Sequence, residues 1–171
     1  VNTSGTLLEG IKIWGELKPD LTVEEIKARA IKLCHWSVAR GTLAIRSHVD
    51  VSDDRLPSVK ALLEVRAEIK PYIDLQLVAF PQDGYLRYPG SADNLKRALD
   101  LGIDVIRVDT TEDPGVLGAI PGEPPKDTVV DYDEALKRVC STWQTCAAEA
   151  ADAGVRVVWE FEPGFAFNKP S

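Results

Sequence analysis

Three stretches of the chain repeat one pattern. Gly41-Thr-Leu-Ala-Ile-Arg46, Gly102-Ile-Asp-Val-Ile-Arg107 and Gly154-Val-Arg-Val-Val-Trp159 each begin with a glycine, pass two spacer residues and end in a β-prone apolar run. A glycine at that position ends a helix, because glycine enters the left-handed region without a Cβ clash. Helix–strand units in series cross over right-handedly and build either an open doubly wound sheet or a barrel. A complete eight-fold barrel takes about 250 residues. The 171 residues here hold four such units. The chain is therefore predicted to be α/β, a partial TIM-type (β/α) barrel of about four parallel strands with helices, folded as a single partial-barrel domain over residues 1–171.

The helices and strands follow from local signals. Residues 1–21 read as irregular, with one helical turn around Leu7–Trp14. Thr22-Val-Glu-Glu25 is a capping box, and the helix it opens runs to about Arg40 with Ile26, Ala30, Leu33, Cys34 and Ser37 on its inner face. The strand Thr42–Val49 follows. Asp53 or Asp54 is expected to cap a helix that Pro57 opens and Pro71 stops. The next strand is Asp74–Phe80. Ser91 is expected to cap a short helix closed by Gly102, ahead of the strand Asp104–Val108. The Pro- and Gly-rich stretch 110–130 reads as a long loop. A second capping box, Asp131 and Glu134, opens a helix to Ala153 with Ala135, Val139, Trp143, Cys146 and Ala150 inward. Val155–Glu160 is the fourth strand, and 163–171 a closing loop.

Composition narrows the function classes. The hydrophobic fraction is 44%, the charged fraction 27% and the net charge −7. An acidic chain without Lys and Arg clusters is poorly suited to nucleic acid. No apolar run approaches the roughly 18 residues of a membrane span, and no signal peptide is visible. The three cysteines, Cys34, Cys140 and Cys146, form neither a disulfide framework nor a zinc motif, and are expected to be buried thiols in a reducing cytoplasm. The chain opens Val1-Asn2-Thr3 and contains no Met, which reads as a fragment.

Polar residues mark the strand ends, where parallel α/β folds bind ligands. Leu75–Phe80 runs into Pro81-Gln82-Asp83-Gly84. The other strands meet His48 and Asp50, then Asp109, then Glu160. Gln82 is a candidate ligand-binding amide, weighed against a plain Pro-Gln-Asp-Gly turn. His48 is a candidate pocket residue, weighed against a hydrogen-bonded structural role; His35 reads as structural. Asp50, Asp53 and Asp54 resemble a carboxylate cluster, but helix capping accounts for them.

Several segments resemble a known family. Ser4-Gly-Thr-Leu-Leu-Glu-Gly10, Arg46-Ser-His-Val-Asp-Val-Ser52, Lys60-Ala-Leu-Leu-Glu-Val65 and Asp74-Leu-Gln-Leu-Val-Ala-Phe-Pro-Gln-Asp-Gly84 resemble bacterial cytosine deaminases of the amidohydrolase superfamily, over about residues 1–104. From about Gly102, Ile106-Arg-Val-Asp109, Asp131-Tyr-Asp-Glu-Ala135 and Val157-Val-Trp-Glu-Phe-Glu-Pro-Gly164 look like the xylose-isomerase-like sugar isomerases and epimerases, over about 105–171. The chain thus looks like a chimera or fused fragment.

The first resemblance implies hydrolytic deamination of cytosine to uracil, with Gln82 hydrogen-bonding the pyrimidine and Leu7 lining the pocket. It also implies a divalent metal, zinc or iron, whose ligand set this sequence does not complete. The second implies Glu160 as a metal ligand for a sugar substrate, with Asp109 as a possible neighbour. No catalytic residue is assigned. A third expectation, of another class, is an inert barrel fragment acting only through association. The expected partners are a small molecule and further copies of the chain, with no nucleic acid and no membrane, in the cytoplasm.

Overall fold

The computed structural model describes residues 1–83, 88–108 and 131–160, the side chains of Leu7 and Leu8 excepted. The loops read at 110–130 and 163–171, together with Asp109 and Gly84, lie outside the described residues. The architecture is α/β, four parallel strands with helices between them, the pattern of a partial TIM-type barrel. The chain divides into two compact units, Val1–Ile103 and Asp104–Ser171.

The first unit runs α1 (Leu7–Leu17), a 3-10 turn (Lys18–Asp20), α2 (Val23–Val38), β1 (Ala44–Asp50), α3 (Pro57–Ile69), β2 (Asp74–Phe80) and α4 (Ser91–Asp100). β1 and β2 pair in parallel from Ala44↔Asp74 to Asp50↔Phe80. Parallel neighbours require a crossover, and α3 supplies it. Side chains alternate across a strand. Val49, Leu75, Leu77 and Ala79 therefore share one face and enter a core with Val59, Val65 and Ile69 of α3 and Cys34 of α2. Each large side chain among them contributes about 1.5–3 kcal/mol on leaving water. Arg46, His48 and Asp50 fall on the opposite face, in register with Gln76, Val78 and Phe80.

The local signals act as expected at several points. Thr22 Oγ1 accepts from the Glu25 N–H at 3.2 Å, and the Glu25 carboxylate takes the Thr22 N–H at 3.1 Å. The three repeat glycines stand at φ +84, +105 and +71°, each just past a helix.

Four expectations are corrected. Residues 1–21 are not irregular: α1 is an 11-residue helix with Thr6 as its N-cap. Neither Asp53 nor Asp54 caps α3. Its N-cap is Leu56, at φ 51° without a side-chain bond, because Asp53 is held by Arg55 and Asp54 accepts from Asn94. Ser91 is the first residue of α4, and Gly90 at φ 85° is the N-cap. Leu33 is 58% exposed, so the inner face of α2 is centred on Cys34 instead.

In the second unit, β3 (Val105–Val108) pairs in parallel with β4 (Arg156–Trp159), from Val105↔Arg156 to Val108↔Trp159. Between them lies α5 (Tyr132–Asp152), where the Asp131 carboxylate accepts from the Glu134 N–H at 3.1 Å. Ala135, Val139, Trp143, Cys146 and Ala150 are half-buried at helical spacing, which matches the expected face. Of the three free thiols only Cys34 is buried, and burial pushes its pKa up. Cys140 is exposed, against expectation. No helix among the described residues is long and apolar enough to cross a membrane.

Candidate functional site

β1 and β2 end side by side, and their last residues meet the turn that follows α1. Asp50, the final residue of β1, accepts three hydrogen bonds. The Trp14 indole N–H reaches Oδ2 at 2.8 Å, Lys18 Nζ reaches Oδ2 at 2.9 Å, and the Ser52 N–H reaches Oδ1 at 2.7 Å. Trp14 and Lys18 are four residues apart at the end of α1, so one helical face presents both.

Lys18 is 8% exposed. A buried ammonium costs several kcal/mol unless it is paired. Here each of its three donors has an acceptor. Asp50 takes one, Asp83 Oδ2 takes another at 2.7 Å, and the Ser52 carbonyl lies at 3.4 Å. Desolvation acts to lower the Lys18 pKa, but the hydrogen bonds and charges of Asp83 and Asp50 outweigh it, and the pKa is raised. The resulting stabilisation is present below the ordinary lysine range and is lost as pH climbs through the raised value.

The turn after β2 is held from both sides. The Gln82 N–H donates to Phe80 O at 3.0 Å, and the Asp83 N–H donates to Ser52 Oγ at 3.0 Å. Gln82 is half-buried, and no group among the described residues bonds its side-chain amide. Beside it opens a cleft of about 440 Å³, whose lining includes Lys18, Pro19, Ser52, Asp53, Asp83 and Tyr88. Gln82 adjoins this cleft through Asp83 and does not itself line it.

The expected site residues fall out unevenly. His48 is exposed on the same face of β1 as Asp50, its ring 6.0 Å from that of Phe80. Leu7 opens α1, the helix whose other end carries Trp14 and runs into Lys18; its side chain lies outside the described residues. Glu160 belongs to the second unit, where Arg107 Nε approaches its carboxylate at 2.5 Å. His35 bonds the Tyr72 hydroxyl at 3.3 Å.

Among the described residues no three His, Cys, Asp or Glu side chains come together to hold a metal ion. A catalytic zinc takes three protein ligands, while Asp50 is engaged by a cation and two N–H groups and Glu160 by a guanidinium. The described residues do not fit such a metal.

Sequence reasoning missed Lys18 and Trp14. Their i, i+4 spacing would have flagged them, had Leu7–Leu17 been recognised as a helix.

The chain matches no family model. It is 42% identical over 86 residues to N-isopropylammelide isopropyl amidohydrolase of Pseudomonas sp. (strain ADP), a match covering 50% of this chain and 21% of that protein. Its fold matches the crystal structure of 5-methylcytosine deaminase from Klebsiella pneumoniae liganded with 5-fluorocytosine. The TM-score is 0.70 at 32% identity, covering 97% of this chain and 36% of that one. The same enzyme liganded with phosphonocytosine gives 0.69 at 31%, covering 97% and 37%. The chain thus spans about a third of the deaminase and a smaller share of the curated relative. It is similar to deaminases of the amidohydrolase kind over part of their length. Because a single deaminase covers 97% of this chain, the likeness does not stop near residue 102. The sugar-isomerase resemblance and the join of two families receive no support.

Proposed function

We propose that this chain forms the pyrimidine-binding portion of a metal-dependent, amidohydrolase-type deaminase that converts cytosine, or a close relative of it, to the hydrolysed base. The observation that carries this is Gln82. Its amide is half-buried and unbonded among the described residues, and it follows a strand end in a stretch that resembles cytosine deaminases. An amide offers a donor and an acceptor together, which suits the edge of a pyrimidine. His48 and Leu7 are the further substrate-binding residues of this proposal. A divalent metal, zinc or iron, would activate water for attack on the ring in the whole enzyme.

Two measurements test it. Gln82→Ala is expected to weaken cytosine binding to the 171-residue chain by about 1–3 kcal/mol, the effect of leaving a polar partner unpaired. Equal affinity in variant and parent, by calorimetric titration, would overturn the assignment. The chain alone, supplied with zinc or iron, is expected to release no ammonia from cytosine, since its described residues do not fit a catalytic metal. Turnover abolished by a chelator would contradict this.

A sugar isomerase would need Glu160 as a metal ligand, and its contact with Arg107 favours no such role. Self-association belongs to the same proposal. Among the described strands β1 pairs with β2 alone, and exposed strand edges recruit further strands. Sedimentation is expected to show species larger than one chain at micromolar concentration, and a stable monomer would count against it.

A further inference from the structure

We infer that Lys18 is a positioning residue: its buried ammonium fixes the Gln82–Asp83 turn against the end of α1, and so sets the place from which the Gln82 amide meets a substrate. This rests on the proposed role of Gln82 and extends it to a residue that touches no substrate.

Three segments distant in sequence converge on one nitrogen. Position 18 comes from the turn after α1, Asp50 from the end of β1, and Asp83 from the residue after Gln82. Ser52 closes the circuit. Its N–H binds Asp50, its hydroxyl accepts the Asp83 N–H, and its carbonyl faces Lys18 Nζ. The backbone of Lys18 is itself anchored, because Arg55 donates to its carbonyl at 2.9 Å. Among the described residues nothing bonds the Gln82 side chain, so the turn beneath it sets the point from which its amide reaches out. That turn is tied to β2 by the Gln82 N–H and to the rest of the unit through Asp83.

The residue type suits the task. An ammonium offers three donors in three directions, as the acceptors from Asp50, Asp83 and Ser52 require; a planar guanidinium does not. Buried ion pairs add little net stability over apolar replacements of the same shape. Their best-attested use is to select one arrangement among several, and here the selected arrangement is that of the turn bearing Gln82.

The test uses the full 171-residue chain, with Asp83→Ala and Lys18→Met as variants. Asp83 has 39% of its side chain exposed, so Asp83→Ala cuts the turn loose while Lys18 keeps Asp50. Two quantities are read: amide hydrogen exchange at Gln82 and Asp83 relative to Leu77 and Val78 in β2, and the dissociation constant for cytosine. In both variants the turn amides are expected to exchange about tenfold faster relative to β2, and the dissociation constant to rise about tenfold, the order set by losing one charge-assisted hydrogen bond. Asp83→Asn, which keeps an acceptor oxygen for Lys18, is expected to recover most of both effects. Exchange that rises equally throughout β2 would reduce Lys18 to a purely structural group and overturn the inference. So would a parent that binds cytosine with an affinity Asp83→Ala leaves unchanged, although Gln82 would keep its proposed role. A parent that binds no cytosine would overturn the functional proposal, and with it any substrate-directing role for Lys18.

Discussion

Asp50→Ala is expected to lower folding stability by about 3–5 kcal/mol, the usual effect of removing one partner from a buried ion pair. The substitution does more than delete a carboxylate. It leaves Asp83 as the one carboxylate in an ion pair with Lys18 among the described residues, and it takes the acceptor from the Trp14 indole N–H and the Ser52 N–H. Each orphaned buried donor adds about 1–3 kcal/mol of desolvation cost. Asp50→Asn separates the contributions, because its amide oxygen still accepts hydrogen bonds while the charge is gone. Urea denaturation of the parent and both variants is the measurement, with Asn expected between the parent and Ala. A loss below about 1 kcal/mol for Ala would mean that the Lys18 site is wet and behaves as a surface pair.

Leu77→Ala is expected to cost about 2–5 kcal/mol, the range for emptying a packed core position. Leu77 sits at the middle of β2 with 1% exposure, among residues of β1, α2 and α3. Leu33→Ala on α2 makes the same chemical change at a side chain that is 58% exposed. It should stay within about 0.5 kcal/mol of the parent, as surface changes do. The pair tests the packing, because the two positions undergo the same chemical change and differ in burial. Comparable losses at the two positions would show that the described packing is wrong.

How far these features were legible depended on how local their causes are. β2 was read to the residue as Asp74–Phe80, since Pro81 withholds the N–H that would continue the ladder and the preceding run is apolar. The capping box at Thr22 and the glycines after α2, α4 and α5 carry their reasons within a few residues. α1 was not legible. Gly10 and Gly15 lie inside it, and each costs about 1 kcal/mol relative to Ala. Contacts made at its far end, by Trp14 and by Lys18 just beyond, offset that cost. Asp53 and Asp54 were read as caps because they precede a proline-opened helix. Their actual partners are Arg55 and Asn94, and Leu56 beside them takes a left-handed backbone that no leucine advertises. Lys18 is the extreme case, because its partner Asp83 is 65 residues away. Gln82 and His48 were named as candidates from their position at strand ends. Glu160 was named the same way, but the guanidinium beside it could not be inferred from one strand.

The convergence on Lys18 also bears on how the chain folds and unfolds. The ammonium cannot be desolvated at a profit until β1 and β2 have paired and the turn after α1 has docked, because its two carboxylates arrive with different strands. Contacts of such sequence separation carry a large loop-closure entropy and form after local ones. The network should therefore be weak in the folding transition state and complete in the native state. Interactions of that kind slow unfolding while leaving the folding rate nearly unchanged. In this unit the charged cluster at the strand ends acts as a latch, setting how long the native state lasts once it has formed.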